Sequence, residues 1–83
     1  MFSLNDWMVK GKVMEITEKT RGYLISVKGV AENPTLFSSD VYRISCWITK
    51  KVLGSRKIRN NIALKGKFKF KNDECYFIAD VIL

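Results

Sequence analysis

The sequence contains no histidine, one proline and two cysteines among its 83 residues. Without histidine, a general acid or base would have to be one of the eight Asp and Glu side chains, which do not cluster by spacing. Cys46 and Cys75 lie far apart without the spacing of a zinc site, and no glycine-rich phosphate loop is present. We therefore expect a non-enzyme without a metal or cofactor. Both cysteines fall within apolar strand patterns, so we expect two buried free thiols.

Long apolar runs are also missing. None approaches the roughly 20 residues that span a bilayer, and the start, "MFSLNDWMVKGK", has no basic segment before an apolar one, as a signal peptide requires. These features predict a cytoplasmic protein without a membrane partner. A single proline, five glycines and 47% hydrophobic residues argue against disorder. The length predicts one domain over residues 1–83, with a thin core.

Acidic residues are outnumbered by basic ones. Fifteen Lys and Arg against eight Asp and Glu give a net charge of +7, and the isoelectric point is about 9.7. An isoelectric point above about 9 favours a nucleic-acid partner. The alternative is a charged surface that serves only to keep a small domain in solution.

Apolar residues alternate with polar ones along most of the chain, which is typical of β-strands with one buried face. The pattern predicts five strands, over residues 7–16, 22–30, 40–50, 62–70 and 74–83. The fifth is largely apolar, as a strand buried on most sides would be. Five antiparallel strands need closure to avoid exposed edges, so we expect an all-β, five-stranded Greek-key barrel, the OB-fold. An SH3-like barrel is the competing topology.

The connections between these strands differ in length and charge. The sequence predicts a hairpin loop at residues 17–22. It also predicts a longer loop, which holds the only proline, at residues 31–40. Residues 71–73, "KND", predict a tight turn that makes strands four and five neighbours. The basic segment 51–61 has room for a turn or two of helix at most, and Gly54 disfavours even that.

Four short motifs carry a family resemblance: "VKGKV" (9–13), "IALKGKF" (62–68), "YRISCW" (42–47) and the closing "ADVIL" (79–83). Together they resemble strands one, four, three and five of the bacterial single-stranded-DNA-binding proteins, including the primosomal PriB-type proteins. In that family an arginine precedes a DNA-stacking aromatic by four residues, and Arg43 and Trp47 have that spacing. The family's strand glycines relieve crowding where a barrel strand bends, which matches Gly11 and Gly66.

The chain departs from this family in three places. The turn between strands four and five is short, whereas the family often extends it, and Val41 stands where the family often has a second stacking aromatic. The sequence has no acidic tail of the kind that recruits other proteins. The resemblance therefore implies an accessory protein rather than a general single-strand-binding hub. Members of that family often pair their barrels, so a homodimer is one option, but the sequence specifies no interface and leaves the oligomeric state open.

Trp47 is the strongest candidate for a residue that binds nucleic acid. Its parity places it opposite Ile44, Cys46 and Ile48, hence outside the barrel if those residues are core, where a large aromatic can stack on bases. The alternatives are a protein interface or cover by residues 51–60. Arg43 either contacts nucleic acid or forms a cross-strand ion pair. Lys28, on the outward side of strand two, either contacts phosphate or is simply solvated.

Other cations surround these residues. Five lie within ten residues with no acid among them, and we expect them to contact phosphate, with a solvated loop as the alternative. Two more lie on the loop between strands one and two, at a rim of the expected OB site. The first group is Lys50, Lys51, Arg56, Lys57 and Arg59, and the second is Lys19 and Arg21.

The segment "LKGKFKFK" (64–71) alternates lysines with apolar residues. We expect Phe68 and Phe70 to anchor the core with Leu64, and the lysines to line the outer face of strand four, beside the binding face. Lys71, at the turn, is the lysine expected to touch phosphate. Tyr23 and Tyr42 have inward parity and are expected in the core.

These features predict a protein that binds single-stranded DNA as an accessory in replication or recombination. Two alternatives stay open. One is a small OB subunit that mainly binds a replication protein such as a primase, polymerase or helicase, using Trp47 and the exposed Met14 or Leu36–Phe37. The other is an RNA-binding OB protein, since contacts to the 2′-hydroxyl are not visible in a sequence.

Overall fold

The computed structural model describes residues 7–33 and 38–83, with side chains omitted for residues 38–42. The predicted Leu36–Phe37 surface and the inward Tyr42 side chain lie outside this description. Five strands and one short helix follow one another along the chain: β1 (Trp7–Glu18), β2 (Gly22–Glu32), β3 (Ser38–Thr49), α1 (Lys50–Leu53), β4 (Asn61–Lys71) and β5 (Glu74–Ile82). All five predicted strands are confirmed. β1 extends to Glu18, so its connection to β2 is only residues 19–21. β2 extends to Glu32 and β3 begins at Ser38, so strand replaces both ends of the loop predicted at 31–40.

The strands form a closed barrel in the order β1-β2-β3-β5-β4. β1 pairs with β2 and with β4, both antiparallel, whereas β3 and β5 pair in parallel. The expected OB-fold is therefore confirmed. An SH3-like barrel does not describe this order, because β3 neighbours β5 instead of β4. Closure gives each strand a neighbour on both sides, which protects strand edges, and the closing β3–β5 ladder consists of three residue pairs.

The barrel core contains the inward residues of all five strands. Ile25, Val27, Cys46 and Ile48 are buried as their parity predicted, and Tyr23 and Ile44 pack against them. The aromatic rings of Trp7, Phe68 and Phe77 meet edge to face, with centroids 5.2 and 5.1 Å apart. The other buried members are Val9, Ala31, Leu53, Ile62, Leu64 and Ala79.

Phe70 does not belong to this core, and the prediction that it anchors the barrel is wrong. Its side chain is 66% exposed. It lies across from Cys75, one pair before the turn between β4 and β5, and Cys75 is also exposed. Phe70 has the same inward parity along β4 as Leu64 and Phe68. At this end of the hairpin, however, its side chain remains open to solvent.

Glycines permit the close approach of strands. Gly11 on β1 faces Gly29 on β2, and a Cβ on Gly11 would lie 2.2 Å from the Lys28 carbonyl oxygen. Gly66 lies at a register shift between β4 and β5, and its added Cβ would meet the Ile78 carbonyl oxygen at 2.0 Å. The predicted role of Gly11 and Gly66 in relieving crowding agrees with these contacts.

Helix α1 is a single turn, within the predicted limit. Its N-cap is Thr49, whose Oγ1 accepts a hydrogen bond from the Val52 backbone N–H at 3.1 Å. Gly54 follows with φ of 62° and ends the turn, while Leu53 is buried and holds it against the barrel. Within residues 7–33 and 38–83, no helix has the length and apolar character required to cross a membrane.

Candidate nucleic-acid interface

Trp47 lies on the outer face of β3, as its parity predicted. Its neighbours in the chain, Cys46 and Ile48, are fully buried, whereas Trp47 is half-buried. Across the ladders it faces Leu24 on β2 and Ile78 on β5, and both of these are also half-buried. The indole therefore lies in an apolar row that crosses three strands at the surface.

The next row across the same strands contains Ser26, Ser45 and Tyr76. Tyr76 is half-buried, between the exposed Cys75 and the buried Phe77. We name Leu24, Trp47, Tyr76 and Ile78 the outer stripe. It places two aromatic side chains on adjacent strands, diagonally across the β3–β5 ladder, and aromatic faces are what unpaired bases stack on.

Tyr76 is absent from the residues that the sequence predicts for the site. The apolar character of the fifth strand predicts burial on most sides, which is wrong for Cys75, Asp80 and Val81, since all three are exposed. A signal exists in the alternation of the strand: if Phe77 and Ala79 point inward, Tyr76 and Ile78 point outward. This alternation is hard to recognise in the sequence, because both faces of β5 carry aliphatic and aromatic residues.

The Tyr76 hydroxyl donates a hydrogen bond to the Glu74 carboxylate. This bond raises the pKa of Tyr76 above its usual value, and partial desolvation and the negative charge of Glu74 act in the same direction. The phenol is therefore neutral at ordinary pH, so its ring adds no negative charge beside a phosphate backbone.

Lysines of β4 line one edge of the outer stripe. Lys67 lies across from Ile78, and Lys69 across from Tyr76, so these two lysines lie beside the outer stripe. Lys71 is exposed at the last pair before the turn, where its partner is the acidic Glu74.

A second group of cations lies at the end of the barrel where β3 passes into α1. The Lys50 backbone N–H donates to the Arg21 carbonyl oxygen at 3.0 Å, which brings the β1–β2 loop against the helix. Gly22 and Thr49, which pair here, are two residues from Leu24 and Trp47. We name Lys19, Arg21, Lys50 and Lys51 the end cluster. An acid does lie beside it, since Lys50 Nζ is 3.6 Å from Glu18 Oε2.

Arg43 forms the cross-strand ion pair that was its alternative role. Its guanidinium lies 3.1 Å from Glu15 Oε1, with side-chain exposures of 53% and 67%. Exposed pairs of this kind contribute only about 0–1 kcal/mol, so a phosphate can displace Glu15 at little cost. Lys28 is exposed at an irregularity of the β2–β3 ladder and lies across from Lys12 on β1.

The remaining three predicted cations, Arg56, Lys57 and Arg59, do not join the end cluster. They line a separate groove with the end of β5 and the start of β4. The predicted run of five cations is therefore split between two surfaces, because α1 and Gly54 turn the chain between Lys51 and Arg56.

The two cysteines differ. Cys46 is a fully buried free thiol, as predicted, and burial raises its pKa to about 12. Cys75 is free but exposed, so its predicted burial is wrong. Partial desolvation still raises the pKa of Cys75. In the part of the chain that the structure describes, no group of three or more Cys, Asp or Glu side chains could hold a metal ion.

The geometry combines surface aromatics with cations on two sides, which is an arrangement that can hold a flexible polyanion with exposed rings. Comparison of the chain with protein-family models, curated proteins and solved structures finds no match. The outer stripe and the cations around it are therefore the features that indicate a function.

Proposed function

We propose that this chain is a non-enzymatic OB-fold protein that binds single-stranded DNA, as an accessory in replication or recombination. The observation that supports this best is the position of Trp47, half-buried on the outer face of β3 between Leu24 and Ile78. OB-folds bind oligonucleotides across this β2–β3 surface and the adjoining loops. The motif resemblance to the single-stranded-DNA-binding family supports the same assignment.

In this proposal, bases stack on Trp47 and Tyr76 while cations follow the phosphates. Lys67 and Lys69 flank the stripe on one side, and the end cluster borders it where β3 ends. Stacking requires bases that are not enclosed in a duplex, so single strands are preferred. Arg43 contributes by exchanging Glu15 for a phosphate.

The test is a fluorescence titration of labelled single-stranded and duplex oligonucleotides at several salt concentrations. Loss of one stacked base costs about 1–3 kcal/mol, so Trp47→Ala should weaken single-strand binding accordingly, whereas Trp47→Phe should keep most of the affinity. Val81→Ala, at an exposed position of β5 outside the stripe, is the control and should bind as the native protein does. Equal binding of single strands and duplex, or full affinity in Trp47→Ala, would refute the proposal.

RNA is tested in the same titration with an oligonucleotide of matching sequence, because the outer stripe carries no feature that selects against a 2′-hydroxyl. Tighter binding of the RNA strand would change the assigned ligand and leave the stacking surface as described.

A protein partner is the second candidate function, favoured by exposed apolar side chains on β1. Met14 is 44% and Ile16 51% exposed, and a replication protein such as a primase, polymerase or helicase would cover such apolar side chains. Co-expression with candidate partners distinguishes the two functions. A stable co-purifying complex, with weak DNA binding by the isolated chain, would favour the protein partner.

A further inference from the structure

Arg56, Lys57 and Arg59 line a groove with a volume of about 950 Å³. Its apolar lining includes Ile82 and Leu83, at the end of β5. A neighbouring concavity shares the start of β4 and Leu83 with this groove and reaches Lys10 of β1, where Lys10 Nζ lies 3.4 Å from Glu32 Oε1. The groove is open and lies where the end of β5 meets the start of β4, whereas the outer stripe lies on β2, β3 and the first half of β5.

The charged side chains that line this groove are cationic. Three cations line it, and no Asp or Glu side chain does so among the described residues. Arg56 is held in place, since its Nη1 donates to the Ile82 carbonyl oxygen at 2.8 Å. That bond uses one of five guanidinium N–H donors, so the group can still bind a carboxylate.

The apolar part of the groove is aliphatic. Ile58 and Ile82 are half-buried, and the Leu83 side chain is 60% exposed. No aromatic side chain of the described residues is part of the lining, in contrast to the outer stripe. Single-stranded nucleic acid is held by aromatic stacking as well as charge, so this surface lacks the component that would recognise bases.

We propose that the groove binds an acidic peptide segment of a partner protein, whose aliphatic side chains pack on Ile58, Ile82 and Leu83. The carboxylates of the segment pair with Arg56, Lys57 and Arg59, which gives the charge complementarity typical of peptide recognition. Because the outer stripe lies on β2, β3 and the first half of β5, whereas the groove lies at the end of β5 and the start of β4, the chain binds the peptide and a single strand at the same time. The protein then connects DNA to an acidic partner.

The probe is a fluorescent peptide of about ten residues in which glutamates alternate with leucines. Two matched probes replace either the leucines with serine or the glutamates with glutamine. The test variants are Lys57→Glu/Arg59→Glu, which reverses the charge of the rim, and Leu83→Ser, which shortens its exposed apolar part. Lys67→Glu/Lys69→Glu and Val81→Ser make the same changes outside the groove.

We expect the native protein to bind the acidic, leucine-containing probe and each matched probe at least about tenfold more weakly, since both charge and apolar contact are needed. Both groove variants should lose that binding, while the two control variants and Trp47→Ala keep it. Peptide binding that survives Lys57→Glu/Arg59→Glu overturns the proposal. Displacement of the peptide by a single-stranded oligonucleotide also overturns it, because the groove would then belong to the nucleic-acid path. The peptide titrations do not require DNA binding. Loss of DNA binding would therefore contradict the proposed function without affecting the result for the groove.

Discussion

Two phenylalanines on the β4–β5 hairpin illustrate how much the location of one residue decides. Phe77 is fully buried, whereas Phe70 is 66% exposed, and Phe68, which faces Phe77 across the ladder, makes the edge contact with it. The same phenyl side chain therefore contributes differently to the free energy of unfolding at positions 70 and 77.

Phe77→Ala should lower the free energy of unfolding by about 3–5 kcal/mol, because it leaves a cavity in a thin core. Phe77→Leu should cost about 1–2 kcal/mol and keeps the measurement possible if the alanine variant does not fold. Urea titrations measure the free energy of unfolding of each variant. Phe70→Ala should change it by less than about 0.5 kcal/mol. Equal costs at the two positions would contradict the burial difference.

The two cysteines should react differently with a thiol reagent. At pH 8 the native protein should be alkylated at Cys75 and not at Cys46, because only Cys75 is exposed. The rate at Cys75 should keep rising with pH beyond 9, since its pKa is raised from 9.0. Mass spectrometry of the modified peptides, with Cys75→Ser as the control, measures both sites, and fast native labelling of Cys46 would be the contrary result.

Cys46 also predicts a pH dependence of stability. Its pKa in the folded protein is about 12, against 9.0 for an ordinary thiol. Above pH 9 the unfolded chain loses this proton while the folded chain keeps it, so the free energy of unfolding falls between about pH 9 and 12. Chemical denaturation of Cys75→Ser across this range, compared with Cys46→Ala/Cys75→Ser, isolates the contribution of Cys46.

At the scale of elements, the connection between β4 and β5 is a two-residue turn of the kind that "KND" predicted. Asn72 and Asp73 both have positive φ angles, 52° and 63°, as a type I′ hairpin turn requires. This turn keeps β4 and β5 in the register that places Lys67 and Lys69 beside Ile78 and Tyr76.

Asp73→Gly should raise the free energy of unfolding by about 0.5 kcal/mol, because glycine adopts a positive φ without a steric penalty. Asp73→Val should lower it by about 1–2 kcal/mol for the opposite reason. Glu74→Gly, in the strand one residue later, is the control and should be destabilising. Thermal or urea unfolding measures all three, and a stabilised Asp73→Val would be inconsistent with this turn.

Element types were readable from the sequence because alternation and turn residues act locally. The five strands and the turn at residues 71–73 follow from neighbouring side chains, whereas the sequence left a short helix or a loop open before Gly54. The exposure of Phe70 and Cys75 was not readable in this way, since it depends on where the hairpin extends past the barrel. The role of Arg43 was equally unreadable, because Glu15 is distant in the chain and reaches it only across the strands.

For the whole molecule, the distribution of its +7 charge matters more than the sum. Cations border the outer stripe on β4 and at the end cluster, and a separate set lines the aliphatic groove. A polyanion is attracted by all of them at long range, but only those beside the stripe can follow its backbone.

Lys67→Gln/Lys69→Gln should weaken single-strand binding and reduce the slope of its salt dependence by about 0.7 for each phosphate that is no longer neutralised. Lys10→Gln/Lys65→Gln, on the β1–β4 side, removes the same charge and should weaken binding only slightly, at low salt. Oligonucleotide titrations over a range of salt concentrations distinguish the two double variants. Equal weakening by both would mean that net charge alone governs the affinity.

The sequence by itself determined the strand-forming segments, the closing turn, the basic character and the outward parity of Trp47. Each of these follows from residue type and spacing, which act over a few positions. Only the tertiary structure decided which side chains meet: closure of the barrel placed Tyr76 beside the row of Trp47, paired Arg43 with Glu15, and separated Arg56 from Lys50. The first two of these bring together residues far apart in the chain, so no local pattern could specify them.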